Sequence, residues 1–267
     1  MIRGNYHTHT VFCDGADTPR EMIEAALALG FDVLGFSGHV DLDPVMDIDA
    51  YCREIRALAA EYGPRIEVLC GGEVDRLYPD KSALRLDYII GSNHHLTGDL
   101  DRPMAVDHSE QVLLQLLNDG FAGDVYRMTR AYFENVAKVY RETRCHFVGH
   151  FDLITKYNGR LHLIDEADPR YLDPAFDAMD RLISEGMRWF EINTRMAATG
   201  RIYPSERLLR HLRQRGGEIL ISSDAHAAHE LDRGFDAAKA LALRCGFDHA
   251  NALTMRSGRL EYVEIAL

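Results

Sequence analysis

No run of apolar residues in the chain is long enough to span a bilayer, and its N-terminus carries no signal-peptide core. Those absences argue against a membrane role and make the cytoplasm the expected location. There is no Cys-x-x-Cys pair either. The five cysteines (Cys13, Cys52, Cys70, Cys145 and Cys245) are scattered and odd in number, which fits neither a structural zinc site nor a redox motif. Basic residues are in deficit, 30 Lys and Arg against 42 Asp and Glu, for a net charge of −12. Long nucleic acid, which needs a basic footprint, is therefore disfavoured as a partner. An anionic small substrate is not, because a local cluster of cations inverts the potential inside a cleft. No Gly-x-Gly-x-x-Gly follows the first strand, so a dinucleotide-binding fold is disfavoured as well. With no internal repeat, low-complexity tract or linker, the 267 residues read as one domain.

Histidine is what the chain has in plenty, 13 residues in all. Two of them open the sequence in the strand Asn5-Tyr6-His7-Thr8-His9-Thr10. Side chains at i and i+2 of a strand share a face, so His7 and His9 point together, roughly 6–7 Å apart at Cα. Downstream the pattern alternates. Thr18-Pro19-Arg20-Glu21 is a capping box with proline at the first helical position, and that helix ends at Gly30. Phe31–Ser37 reads as a strand, Asp49–Tyr62 as a helix, Ile66–Cys70 and Leu86–Gly91 as strands. Asp124–Arg141 is a helix capped by Asp124, Cys145–Gly149 a strand, Tyr157–Asp168 a loop and Pro174–Gly186 a helix. Met187–Ile192 is a strand, Pro204–Arg215 a helix, Glu218–Ser222 a strand, Gly234–Cys245 a helix and Leu260–Ile265 a terminal strand. Thr97–Gly123 breaks the rhythm. It is polar and glycine-bearing with a short helix at Gln111–Leu117, and reads as a lid.

Seven strands alternating with helices predict an α/β fold with a parallel sheet, closed as a distorted TIM-like barrel. Its site should lie just after the strands. Those positions carry His7, His9, Asp14, His39, Glu73, His94, His150, Asp224 and His226. Each alone has an ordinary explanation, a cap or an ion pair. Jointly they place imidazole or carboxylate at nearly every strand end, an N/O donor set suited to Zn, Fe or Mn. Nine candidates exceed what one ion holds, so two or three divalent ions are implied. Such a cluster suits phosphate esters. Glu73 is the expected bridging carboxylate and Asp224 a terminal ligand and proton acceptor. Arg160 and Arg195 in strand-end loops, with Lys156 as a third cation, are candidates for phosphate binding. His95 is a candidate for substrate contact.

Collected in order, His7-Thr8-His9-Thr10, Gly35–His39, Gly72-Glu73-Val74-Asp75, Ser92–His94, Gly149-His150-Phe151-Asp152 and Ser223-Asp224-Ala225-His226 resemble the PHP (polymerase and histidinol phosphatase) superfamily. Glu191-Ile192-Asn193-Thr194 with Pro204-Ser205 is similar to its histidinol-phosphate phosphatase branch. The resemblance implies a barrel of seven β/α units and a trinuclear site. His7, His9, Glu73 and Asp224 would hold one metal, Glu73, His94 and His150 a second, and His39 and His226 with one more residue the third. The branch often has histidine where Gly15 stands here. Cys13-Asp14-Gly15 resembles the aspartate form of the wider superfamily and offers Asp14. The implied reaction is hydrolysis of L-histidinol phosphate, a metal-bound hydroxide attacking phosphorus while Arg160 and Arg195 hold the phosphate. The alternatives are another small phosphomonoester or nucleotide as substrate, or a non-catalytic metal-binding module. The oligomeric state is left open.

Overall fold

The structure, a computed structural model, describes residues 2–42, 46–79, 81 and 84–267. Seven parallel strands form its centre: β1 Gly4–Asn5, β2 Val33–Phe36, β3 Glu67–Asp75, β4 Tyr88–Ser92, β5 Phe147–Val148, β6 Trp189–Asn193 and β7 Glu218–Ser222. They lie side by side in chain order. A parallel bridge between Thr8 and Ala225 brings the first strand to the last, with His9 N donating to Ala225 O at 2.8 Å. The result is a nearly closed barrel in a single domain.

Helices α1 Pro19–Ala28, α2 Ile48–Tyr62, α3 Val125–Val136, α4 Pro169–Ser184, α5 Glu206–Gln214 and α6 Phe235–Arg244 wrap the sheet. The sequence signals act as physics requires at their ends. Thr18 and Glu21 close a capping box on α1, and Asp124 Oδ1 accepts from the backbone of Tyr126 and Arg127 at the start of α3. Helix α4 begins five residues before the expected Pro174, because Asp168 caps it and Pro169 takes its first turn. Pro174 is tolerated inside the helix with its ring in the core. The expected helix Asp124–Arg141 is broken after Val136 and resumes at Val139–Thr143.

The stretch 97–123 is more regular than its composition suggests. His95–Leu96 pairs with Met104–Ala105, Ser109 caps a helix at Glu110–Gln115, and a π-helical turn follows at Leu116–Gly120. Besides these short pairings, one long strand lies outside the predicted elements. β8 His249–Arg256 pairs with β9 Arg259–Ala266 through Ser257-Gly258, both at positive φ as a tight hairpin turn demands.

That hairpin plugs the barrel. Ala252 and Leu253 join Tyr6, Val33, Leu69, Tyr88, Phe147 and Leu220 in a separate apolar cluster, while the larger core lies among helices and sheet. Tyr88 fills the space left by two glycines. A Cβ on Gly35 would meet its hydroxyl at 2.3 Å, and one on Gly71 its ring at 2.2 Å. Its hydroxyl donates to Tyr6 O at 2.6 Å, so the floor beneath the strand ends is closely packed.

Candidate metal centre

All nine expected ligands converge at the strand C-termini. His7 and His9 are fully buried after β1, His39 follows β2, Glu73 lies on β3, His94 follows β4, His150 follows β5, and Asp224 and His226 follow β7. Asp14 arrives from the turn after the histidine pair. The rings stand close, 5.2 Å between centroids for His7 and His9, 4.1 Å for His9 and His226, 5.1 Å for His94 and His150.

Glu73 is the hub, and its two oxygens face opposite ways. Oε1 lies 2.6 Å from His150 Nε2 and 3.0 Å from His94 Nε2, and accepts from Ser92 Oγ at 2.8 Å. Oε2 lies 3.0 Å from His39 Nδ1, 3.3 Å from His7 Nε2 and 3.6 Å from His9 Nε2. Asp224, at φ +51°, turns Oδ1 to 3.3 Å from His9 Nε2. Asp14 Oδ2 lies 3.1 Å from His226 Nε2 and 3.5 Å from His39 Nε2.

These residues fit metal ions. Nε2 of His7 and of His9 is buried without a hydrogen-bond partner although carboxylates face it. A cation between nitrogen and carboxylate would satisfy both. Donor atoms lie within 4.8 Å of one another in the sets His7–His9–Asp224, His7–Glu73–His150, His39–Glu73–His94 and His9–Asp14–His39–His226. The sets share members, as adjacent ions would require. Gly15 cannot supply a ligand on this backbone, since a Cβ there would stand 2.5 Å from Thr10 N.

For Glu73, Asp224 and His7, burial is opposed by neighbouring charge. Burial would raise the Glu73 carboxyl, but His94, His7 and His39 hold it well below the usual carboxylate range. Asp224 is held down in the same way, by His7 and His9 above all. Burial would lower His7, yet Glu191, Asp224 and Glu73 raise it well above the ordinary imidazole value. His9 goes the other way: burial and the charge of His39 push it down to about 3. A neutral His9 nitrogen is a ready ligand.

A second layer orients these groups, and most of it was not anticipated. Glu191, fully buried on β6, sets Oε1 2.7 Å from His7 Nδ1, while Oε2 accepts from His150 N at 2.9 Å and from Asn193 Nδ2 at 3.0 Å. Asp75 Oδ2 accepts from His94 N at 2.8 Å and lies 3.4 Å from Nδ1 of both His94 and His95. Asp107 and Tyr203 also line the cavity between the ligands. The available signal was strand periodicity. Asp75 is two residues after Glu73, and Asn193 two after Glu191, each on its partner's face.

The cations divide. Arg195 lines the metal cavity, its Nη1 donating to Asp224 O at 2.9 Å. Lys156 lines it too, donating to Asp107 O at 2.8 Å. Arg160 is not among its lining residues: its side chain is 76% exposed and paired with Glu110 at 2.5 Å, on an adjoining larger cavity. His95 stands behind His94 between Asp41 and Asp75 rather than in the cavity.

A nearly closed β/α barrel whose strand ends gather imidazoles and bridging carboxylates around a small polar cavity defines a metal-dependent hydrolase. The chain belongs to the PHP domain family, whose model matches residues 5–195. It is 31% identical over 257 residues to the probable histidinol-phosphatase of Deinococcus radiodurans, covering 88% of this chain and 91% of that one. Its fold is similar to the histidinol phosphate phosphatase of Lactococcus lactis solved with zinc, L-histidinol and phosphate. That match has 25% identity and a TM-score of 0.73, over 97% of this chain and 98% of the other. A Listeria monocytogenes structure, at 19% identity and a TM-score of 0.74, shares the fold over 88% of this chain and 99% of its own.

Proposed function

We propose that the chain is a metal-dependent phosphoric monoester hydrolase that converts L-histidinol phosphate to L-histidinol and phosphate, a step of histidine biosynthesis. The observation that carries this reading is Glu73, one carboxylate facing five imidazoles from its two oxygens. It is supported by relatives that align with most of the chain, one of them solved with zinc, L-histidinol and phosphate. His7, His9, Glu73 and Asp224 would hold one ion, Glu73, His94 and His150 a second, and Asp14, His39 and His226 a third. When bound, two or three such ions (Zn, Fe or Mn) acidify water and neutralise phosphoryl oxygens.

The chain's own groups do the rest. Arg195 offers a guanidinium fork to the phosphoryl oxygens, beside Asp224. Asp224 Oδ2 accepts from Asn193 Nδ2 at 3.2 Å, which fixes the carboxylate whose Oδ1 faces His9 and which takes a proton from the attacking water. Residues 97–123 act as a cover, latched where Tyr157 Oη donates to Asp107 O at 2.6 Å and where Glu110 pairs with Arg160. Arg160 then serves the leaving-group side.

The test is phosphate release from L-histidinol phosphate by metal-replete protein, beside a panel of other phosphomonoesters. A kcat/KM far above the panel is expected. Uniformly weak turnover would overturn the substrate while leaving the hydrolase class standing.

A further inference from the structure

Two cavities meet at the site. The metal cavity is small, about 120 Å³. Beside it lies one of about 950 Å³, walled by Tyr157, Glu166, Thr199, Arg201 and Ser205 among others. Among the described residues, two line both, Lys156 and Met196. A phosphomonoester with its phosphoryl group against Glu73 and Arg195 has to lay its alcohol portion into the larger space. The ester oxygen then crosses the boundary between the cavities.

Of the two boundary residues, Met196 has no proton to give. Lys156 has three N–H donors. One goes to Asp107 O at 2.8 Å and a second is within reach of Asp107 Oδ2 at 3.3 Å. The third has no acceptor among the described residues. Arg195 and Arg201 hold their protons too tightly to transfer them. His226 lines the metal cavity alone, with its ring nitrogens beside Arg195 and Asp14.

We propose that Lys156 is the general acid for the leaving alcohol. The inference rests on the phosphomonoesterase reading above. As the attacking water bonds to phosphorus, the P–O ester bond breaks and its electron pair stays on the ester oxygen. That oxygen takes a proton from Lys156 Nζ, while a water proton passes to Asp224. The amine regains its proton from solvent as the alcohol departs. Asp107 is a positioning residue in this scheme, holding Nζ at the boundary.

The experiment compares two esters. L-Histidinol phosphate has an alkoxide leaving group that needs a proton, whereas p-nitrophenyl phosphate releases a phenolate that does not. Lys156→Met should lower kcat on the alkyl ester by about 100-fold or more and on the aryl ester by less than about 10-fold, in line with the usual worth of a general acid. Lys156→Arg keeps the positive charge, and should keep KM near wild type while losing kcat on the alkyl ester alone. Equal losses on both esters, or alkyl turnover restored by Lys156→Arg, would overturn the proposal. If wild-type protein hydrolyses a different alkyl phosphate instead, the substrate reading fails and that ester replaces L-histidinol phosphate in the same comparison.

Discussion

Glu191 Oε1 stands 2.7 Å from His7 Nδ1, and the same carboxylate takes the backbone N–H of His150 on its other oxygen. One buried side chain thus fixes ligands assigned to two different ions. It holds the proton of His7 on Nδ1, which frees Nε2 toward Glu73 and Asp224. Glu191→Gln keeps the shape but presents an amide that can offer His7 a donor. Zinc affinity is expected to fall about 10- to 100-fold, the usual cost of losing such a partner. Competition with a chromophoric chelator checks it, and unchanged affinity would remove Glu191 from the site.

Asp14 tests the third ion. It is half-exposed and touches His226 and His39, whereas the other assigned carboxylates are buried. Asp14→Ala should bind one ion fewer per chain, with the thermal midpoint little changed. Elemental analysis after dialysis reads this directly. A full complement of metal would place the third site elsewhere.

Arg195 is expected to act on substrate. Arg195→Met should cut kcat/KM by about 100-fold, roughly 3 kcal/mol, with metal content retained. Arg195→Lys should recover little, because a point charge does not replace a planar fork. Steady-state kinetics alongside metal analysis separates this from loss of the ions.

His146 gives a pH prediction away from the centre. Its Nδ1 accepts from Ile89 N at 2.9 Å, and burial lowers its pKa below the ordinary value. A histidine lowered in the folded state contributes stability above its unfolded pKa of about 6.5, lost as pH falls below that value. Protonation also sets N–H against N–H. In His146→Asn the amide oxygen can accept the same bond without titrating. Thermal midpoints should therefore fall less for the variant than for wild type between pH 8 and pH 5.5. Parallel curves would refute it.

Much of the barrel was legible because its signals are local. Thr18, Pro19 and Glu21 mark a helix start, and an apolar run ending in Gly38-His39 marks a strand end. The nine expected ligands could be collected since each follows its own strand. Contacts between distant segments were not readable. Nothing near residue 107 announces that Asp107 will meet Lys156, 49 residues on. Tyr88 reads as one more apolar strand residue until Gly35 and Gly71 make room for it. Pro174 misled because a proline usually opens a helix, and here Asp168 and Pro169 had already done so. β8 escaped because its pairing depends on the turn at Ser257-Gly258, not on its own pattern.

The seam between Thr8 and Ala225 has a consequence in time. A ribosome that has released everything through β6 has already made His7, His9, Glu73, His94 and His150, but not the carboxylate that completes their enclosure. Until residues 222–226 emerge, the opening strand has no neighbour on that side, and its two histidines face an unfinished wall. Ions captured at the end would tie the earliest-made part of the chain to one of its latest, like a clasp on a ring.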